Sequence, residues 1–148
     1  MKTENILFSV RTRSRGSDIG LLLMRIVLAC LMMTHGFAKI YNFEALSMSF
    51  PNPIGWGSQL SLILIILAEV GCSLLLLIGL CTRLAAIPLM FGMIVAAFVQ
   101  HAGDPFAARE LSVLYLCMYL VLFILGPGHY SIDSVIQSQI LKSKREKR

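Results

Sequence analysis

The chain has 148 residues, of which 57% are hydrophobic and 14% charged, a composition that excludes an ordinary water-soluble domain, a disordered chain, a coiled coil and a collagen. The formal net charge of +5 comes from the two ends: residues 1–18 hold four basic and two acidic side chains, and residues 129–148 hold five and two. The segment between them balances, so we expect anionic lipid headgroups as partners of the tails, and no nucleic acid.

Four long apolar runs follow one another along the chain. They lie at about 19–41, 58–80, 84–101 and 110–125, and each approaches the roughly 20 residues that a membrane-spanning helix needs. Arg25 interrupts the first run, which continues well beyond Cys30, so we expect a retained span and not a cleaved signal peptide. The predicted fold class is all-α: a polytopic membrane protein whose transmembrane domain, residues 18–128, is an antiparallel bundle of four helices in the lipid bilayer.

The distribution of basic residues predicts the orientation of these spans. Loop 42–57 contains no Lys or Arg, whereas both tails are basic. An even number of spans places both termini on one side, which the positive-inside rule identifies as the cytoplasm. Residues 1–17 are then a cytoplasmic arm. Residues 129–148 are a cytoplasmic tail in which Ser131 is a candidate N-cap, and apolar residues at helical spacing from Ile132 predict a short interfacial helix.

Two ionisable residues lie well inside the first two runs. An isolated charge at the bilayer centre costs at least ~2.5–3.5 kcal/mol, so such residues need partners or a water-lined cavity. Arg25 lies six positions past Ile19, and Glu69 lies eleven positions past Ser58. At 1.5 Å per residue, these counts give similar depths in a ~30 Å hydrocarbon core. We therefore expect a buried ion pair between Arg25 and Glu69, for which a structural and a functional role remain open.

A second group of ionisable residues lies toward the outer surface, beneath loop 42–57. Its members come from the first, third and fourth helices and from one loop: His35, Lys39, His101, Asp104, Arg109 and Glu110. We expect them to converge in an outer polar pocket, the alternative being that each is solvated separately at the interface. Haem or metal ligation by the two imidazoles is the less favoured interpretation. No metal site is predicted, and no catalytic residue can be assigned.

The four cysteines predict packing and no redox chemistry. They are Cys30, Cys72, Cys81 and Cys117, and their spacing contains no C-x-x-C pair. A resident dithiol is therefore not expected.

A series of short motifs spread over the four runs resembles the DoxX family. The motifs are Leu-Leu-Met-Arg25, His35-Gly36 with Lys39, Glu69, the turn Gly79-Leu80-Cys81-Thr82-Arg83, His101, and Gly126-Pro127-Gly128 with Ser131 and Asp133. The resemblance covers roughly residues 18–135. It implies a multi-pass protein of the bacterial inner membrane, related to the small subunit of thiosulfate:quinone oxidoreductase, and it adds the inner turn at Thr82 and Arg83 to the candidate site residues.

The resemblance also implies a function. We expect at most a subunit of a membrane oxidoreductase, which binds a quinone or a small sulfur compound and acts with a partner enzyme in thiol or oxidative stress. Two alternatives stay open, because membrane-embedded charges also occur in carriers of small molecules or protons and in scaffolds without chemistry. An oligomer is compatible with the sequence.

Overall fold

The computed structural model describes residues 14–53 and 55–146, which form helices and turns and contain no strand. The helices, in chain order, are α1 (Arg15–Tyr41), α2 (Phe43–Ser47), α3 (Ser58–Ile78), α4 (Thr82–Gln100), α5 (Phe106–Leu125) and α6 (Ile132–Glu146). Of these, α1, α3, α4 and α5 are long and apolar enough to cross a membrane. The predicted all-α fold with four spans and a shorter C-terminal helix is confirmed. Most of the predicted N-terminal arm, residues 1–13, lies outside the described residues.

Two of the spans begin four residues earlier than their apolar runs do. Helix α1 begins at Arg15, because Ser14 caps it by accepting a hydrogen bond from the Ser17 N–H at 3.4 Å. Helix α5 begins at Phe106, directly after Pro105, whose fixed φ suits the start of a helix. First turns that contain charged residues therefore extend both helices beyond the segments that hydropathy alone predicts.

Ser131 caps the N-terminus of α6, as the sequence predicts. The Ser134 N–H donates to Ser131 Oγ at 3.2 Å, so Ser131 satisfies one of the free donors in the first turn of α6.

Two glycines set the antiparallel register between α1 and α3. A Cβ added at Gly36 would lie 3.1 Å from the Cβ of Glu69, and one added at Gly79 would collide with the Arg25 guanidinium. Gly36 is therefore level with Glu69, and Arg25 is level with Gly79 in the turn after α3. Ten residues of α3 separate the two levels, which corresponds to roughly 15 Å along the helix axis.

Arg25 closes the end of the bundle near Gly79. It is 1% exposed, and its two terminal nitrogens donate to the backbone carbonyls of Pro127 and Tyr130, at 2.7 Å each. One turn before it on α1 lies Leu21, and at the start of the helix Asp18 accepts a hydrogen bond from the His129 N–H at 3.0 Å. The segment after α5 is thus fixed against α1 by buried charged side chains.

Asp133 completes this closure from the first turn of α6. It is 0% exposed, and its two carboxylate oxygens accept the N–H groups of Cys81 and Thr82 at 2.8 and 3.0 Å. Its own N–H donates to the Gly79 carbonyl at 3.0 Å. A carboxylate at the N-terminus of α4 satisfies free donors and complements the helix dipole. We call Arg25, Gly79, Thr82 and Asp133 the anchor.

A pair of glycine substitutions tests the anchor. Gly79 and Gly55 both have a left-handed backbone, with φ of +71° and +79°, so replacement by Ala costs each about 1–2 kcal/mol. Only at Gly79 does the new Cβ meet Arg25, whereas nothing lies within 4 Å of one at Gly55. Gly79→Ala should therefore destabilise the protein by a further ~1–3 kcal/mol, measured by thermal unfolding in detergent. Equal losses for Gly79→Ala and Gly55→Ala would contradict this account.

Candidate functional site

A cavity of about 650 Å³ lies at the opposite end of the bundle from the anchor. Its walls come from α3 and α4, and the loop between α1 and α3 forms its roof. Apolar side chains, among them Ile65, Phe91 and Val95, supply most of the lining, and Phe50 and Pro51 contribute to the roof. The volume is that of a pocket for a small organic molecule.

A buried ion pair forms the polar part of the cavity wall. Lys39 Nζ donates to Glu69 Oε1 at 2.8 Å and to Oε2 at 2.7 Å. The side chains of Lys39 and Glu69 are 22% and 5% exposed, and both line the cavity. The pair provides strong hydrogen-bonding groups without a net charge.

Both cavity walls contain irregular helix. Residues Leu67–Cys72 of α3, which include Glu69, and residues Ala96–Gln100 of α4 are π-helical. Pro88, inside α4, also lines the cavity. Insertions of π-helix occur frequently at functional sites because they displace side chains from the regular helical positions. Here they coincide with the cavity and its carboxylate.

An aromatic stack of three side chains joins α1 to α5. His35 meets Tyr115 edge-on with ring centroids 6.1 Å apart, and Tyr115 stacks on Tyr119 at 6.0 Å. Tyr119 is 0% exposed. The stack therefore joins α1 to α5 through the interior of the bundle.

Arg25 and Glu69 do not pair with each other as predicted. Arg25 binds two backbone carbonyls in the anchor and interacts at longer range with Asp133, while Glu69 binds Lys39. The prediction assumed that the end of α3 is level with Ile19. In the structure the end of α3 is level with Arg25, which lies six residues after Ile19 on α1. Arg25 and Glu69 consequently lie roughly 15 Å apart in depth.

The structure divides the predicted outer pocket into separate groups. Lys39 binds Glu69, and His35 precedes Gly36, which is level with Glu69. His101 forms an exposed pair with Asp104 at 2.7 Å, and Glu110 is exposed. Within the described residues, no hydrogen bond, ion pair or ring contact joins this second group to the first.

The remaining candidate residues take structural positions. Arg109 lies over the Phe106 ring at 5.9 Å. At the inner turn, Thr82 belongs to the anchor, and Arg83 Nε donates to the Phe123 carbonyl at 3.1 Å. The four cysteines are free thiols, and none of them lines the cavity.

The sequence pattern did not show that Tyr119 and Ser73 are completely buried, each being 0% exposed. Tyr115 and Tyr119 are four residues apart, as are Glu69 and Ser73, so both pairs have the spacing of one helix face. That spacing was the available signal, but it does not show that either face points into the bundle.

Comparison with known proteins identifies relatives of this chain. The DoxX family model matches residues 20–102, which include Arg25, Lys39 and Glu69. The chain is 31% identical over 128 residues to the inner membrane protein YqjF of Escherichia coli, covering 82% of this chain and 95% of that protein. It is 34% identical over 118 residues to an uncharacterized protein of Haemophilus influenzae, covering 75% and 86% respectively. No solved structure matches the chain significantly. The chain belongs to the DoxX family and is an integral membrane protein.

Proposed function

We propose that this chain is a membrane subunit of an oxidoreductase system and that it binds a membrane-dissolved quinone in the cavity beside Lys39 and Glu69. The observation that carries the proposal is an apolar cavity of about 650 Å³ whose wall contains a charge-neutral ion pair. In the proposed system the electrons come from a partner enzyme, in keeping with the family resemblance to quinone-reducing complexes.

The chemistry of the cavity favours a quinone over a small sulfur anion. An anion such as thiosulfate would lose its hydration on entering an apolar cavity, and the neutral pair offers no net charge to compensate that cost. A quinone ring is uncharged and apolar, and its carbonyl oxygens accept hydrogen bonds. Two N–H groups of Lys39 are directed at the Glu69 oxygens, so the ammonium has a third donor for a ligand carbonyl.

The lining of the cavity supports entry from the bilayer. Leu64 of α3 and Phe91 of α4 line the cavity and are also 40% and 50% exposed on the outer surface of the bundle. A hydrophobic molecule dissolved in the membrane would thus reach the ion pair between α3 and α4. A long isoprenoid tail could then stay in lipid while the ring occupies the cavity.

Quinone binding is tested with a cavity-filling substitution. The protein, purified from bacterial membranes in mild detergent, should carry about one quinone per chain by solvent extraction and chromatography. Ala96→Phe adds a ring to the cavity lining and should reduce the occupancy at least tenfold. His101→Gln alters the exposed pair with Asp104 and should retain the quinone. A parent protein without quinone, or an Ala96→Phe variant that binds it normally, would refute the proposal.

The ion pair is tested by removing one partner and then both. Lys39→Met leaves the Glu69 carboxylate buried without its partner, which costs ~3–5 kcal/mol in a buried site. We expect lower membrane abundance and a lower melting temperature. Adding Glu69→Leu should restore much of the stability but should not restore quinone binding. If the single and double variants were as stable as the parent, the pair would not be buried as described.

The orientation is proposed from the charges of the tails. The Escherichia coli relative is by name an inner membrane protein, and an inner-membrane location with both termini in the cytoplasm places the basic end of α6 against anionic headgroups. Alkaline phosphatase, which is active only outside the cytoplasm, should be inactive when fused after Arg148 and active when inserted at Gly55. An active fusion after Arg148 would reverse the orientation.

A further inference from the structure

Four buried polar side-chain atoms have no hydrogen-bond partner within the described part of the chain. They are Arg25 Nε, Ser73 Oγ, Thr82 Oγ1 and Tyr119 Oη. Arg25 is 1% exposed, and the other three residues are 0% exposed. They are all of the buried side-chain nitrogen and oxygen atoms in that part that lack a partner, so the pattern is confined to a few positions.

Such atoms indicate bound water. A buried polar group without a partner costs ~1–3 kcal/mol, and native proteins commonly satisfy it with an internal water molecule. Hydroxyl groups on helices can instead bond to their own backbone, as Thr34 does to the Leu31 carbonyl at 2.6 Å. Ser73 and Thr82 do not take this option, which leaves their hydroxyl groups available to water.

The four atoms belong to residues that lie in the anchor or between the anchor and Glu69. Arg25 and Thr82 are part of the anchor. Ser73 lies four residues from Glu69 on α3, on the side of the anchor, and six residues before Gly79, or roughly 9 Å from it. The levels of the anchor and of Glu69 are thus connected on α3 by one hydroxyl group.

Tyr119 enters the same interval from α5. Arg83 Nε donates to the Phe123 carbonyl, so Phe123 is level with the first turn of α4. Tyr119 lies one turn further from the anchor, and its hydroxyl group is fully buried without a partner. The intervals between successive polar groups are therefore about one to two helical turns, which two or three water molecules can bridge.

We propose that these side chains hold a chain of water molecules that conducts protons between the anchor end of the bundle and the Glu69 carboxylate. A proton from the adjacent water converts the carboxylate to the acid. Glu69 then releases it to a water or a ligand oxygen in the cavity and becomes a carboxylate again. No electron is transferred. On the far side, Ser61 and Gln100 line the cavity, so the proposed path extends from the anchor end to the loop between α1 and α3. The proposal does not depend on which ligand the cavity binds.

The hydration of the path is tested with silver ions, which fit a narrow water path and react with thiols. In a background with the four native cysteines replaced by alanine, Ser73→Cys is compared with Leu76→Cys. Ser73 and Leu76 both lie on α3 and both are 0% exposed, but only Ser73 belongs to the path. In membrane vesicles, Ser73→Cys should react with Ag⁺ at least tenfold faster, measured by loss of subsequent maleimide labelling. Equal rates would overturn the proposal.

Proton conduction is tested in liposomes that contain the purified protein and an internal pH-sensitive dye. A potassium diffusion potential, set with valinomycin, should drive a protein-dependent proton flux. Ser73→Ala and Tyr119→Phe should reduce this flux at least fivefold, while Thr34→Ala, which removes an exposed hydroxyl with its own partner, should leave it unchanged. A parent flux equal to that of empty liposomes, or equal fluxes in all variants, would overturn the proposal.

Thermal unfolding of the same variants provides a further check. If the hydroxyl groups of Ser73 and Tyr119 are dry, their removal eliminates an unpaired buried group and should raise the melting temperature. If they bind water, the melting temperature should stay constant or fall. A clear rise in both variants would overturn the proposal. Quinone occupancy, measured on the same preparations, is a separate readout, so failure of the water path and failure of the proposed ligand can be distinguished.

Discussion

Every charge inside a bilayer requires a partner, and the register of α1 against α3 determines which partners are available here. Gly36 and Gly79 fix that register because a side chain at either position would displace the opposite helix or Arg25. The Arg25 cation therefore lies at the depth of Gly79, and the Lys39 cation lies at the depth of Glu69. Arg25 uses its planar fork to bind two carbonyls, whereas Lys39 binds one carboxylate as a compact point charge. The two cations are therefore not interchangeable between these positions.

The two ends of the bundle consequently differ in character. At the anchor, Asp133 and Arg25 hold α4, α6 and the segment after α5 together through hydrogen bonds to backbone groups. At the cavity, both walls contain a π-helical segment and the roof is a loop. A rigid end that supports an irregular, ligand-sized cavity is the arrangement that a binding site on a small scaffold requires.

The spans and the C-terminal helix were predictable because hydropathy and charge depend on local sequence alone. The pairing of Glu69 was not, since it depends on how far α1 extends past the turn after α3. The correct depth of Arg25 follows when residues are counted from the turn at Gly79 and not from Ile19. The sequence does not show that Arg25 packs against this turn. The π-helical segments also left no signal, because Leu67–Cys72 reads as ordinary apolar helix. Lys39 and Glu69 were selected as ionisable residues within or beside apolar runs, and the family resemblance includes both, but only the structure joins them.

The Lys39–Glu69 pair links ligand binding to proton movement, if both occur as proposed. While Glu69 is ionised, two of the ammonium N–H groups of Lys39 are directed at its oxygens. When Glu69 takes up a proton, the pair loses its neutrality, and an uncompensated ammonium in an apolar wall is costly. A ligand oxygen that accepts a hydrogen bond from Lys39 offsets that cost, most strongly if the oxygen carries developing negative charge, as a quinone carbonyl does on reduction. Protonation of Glu69 and reduction of the bound ring would then favour each other, which gives a physical reason for placing an ion pair, and not a lone charge, beside an apolar cavity.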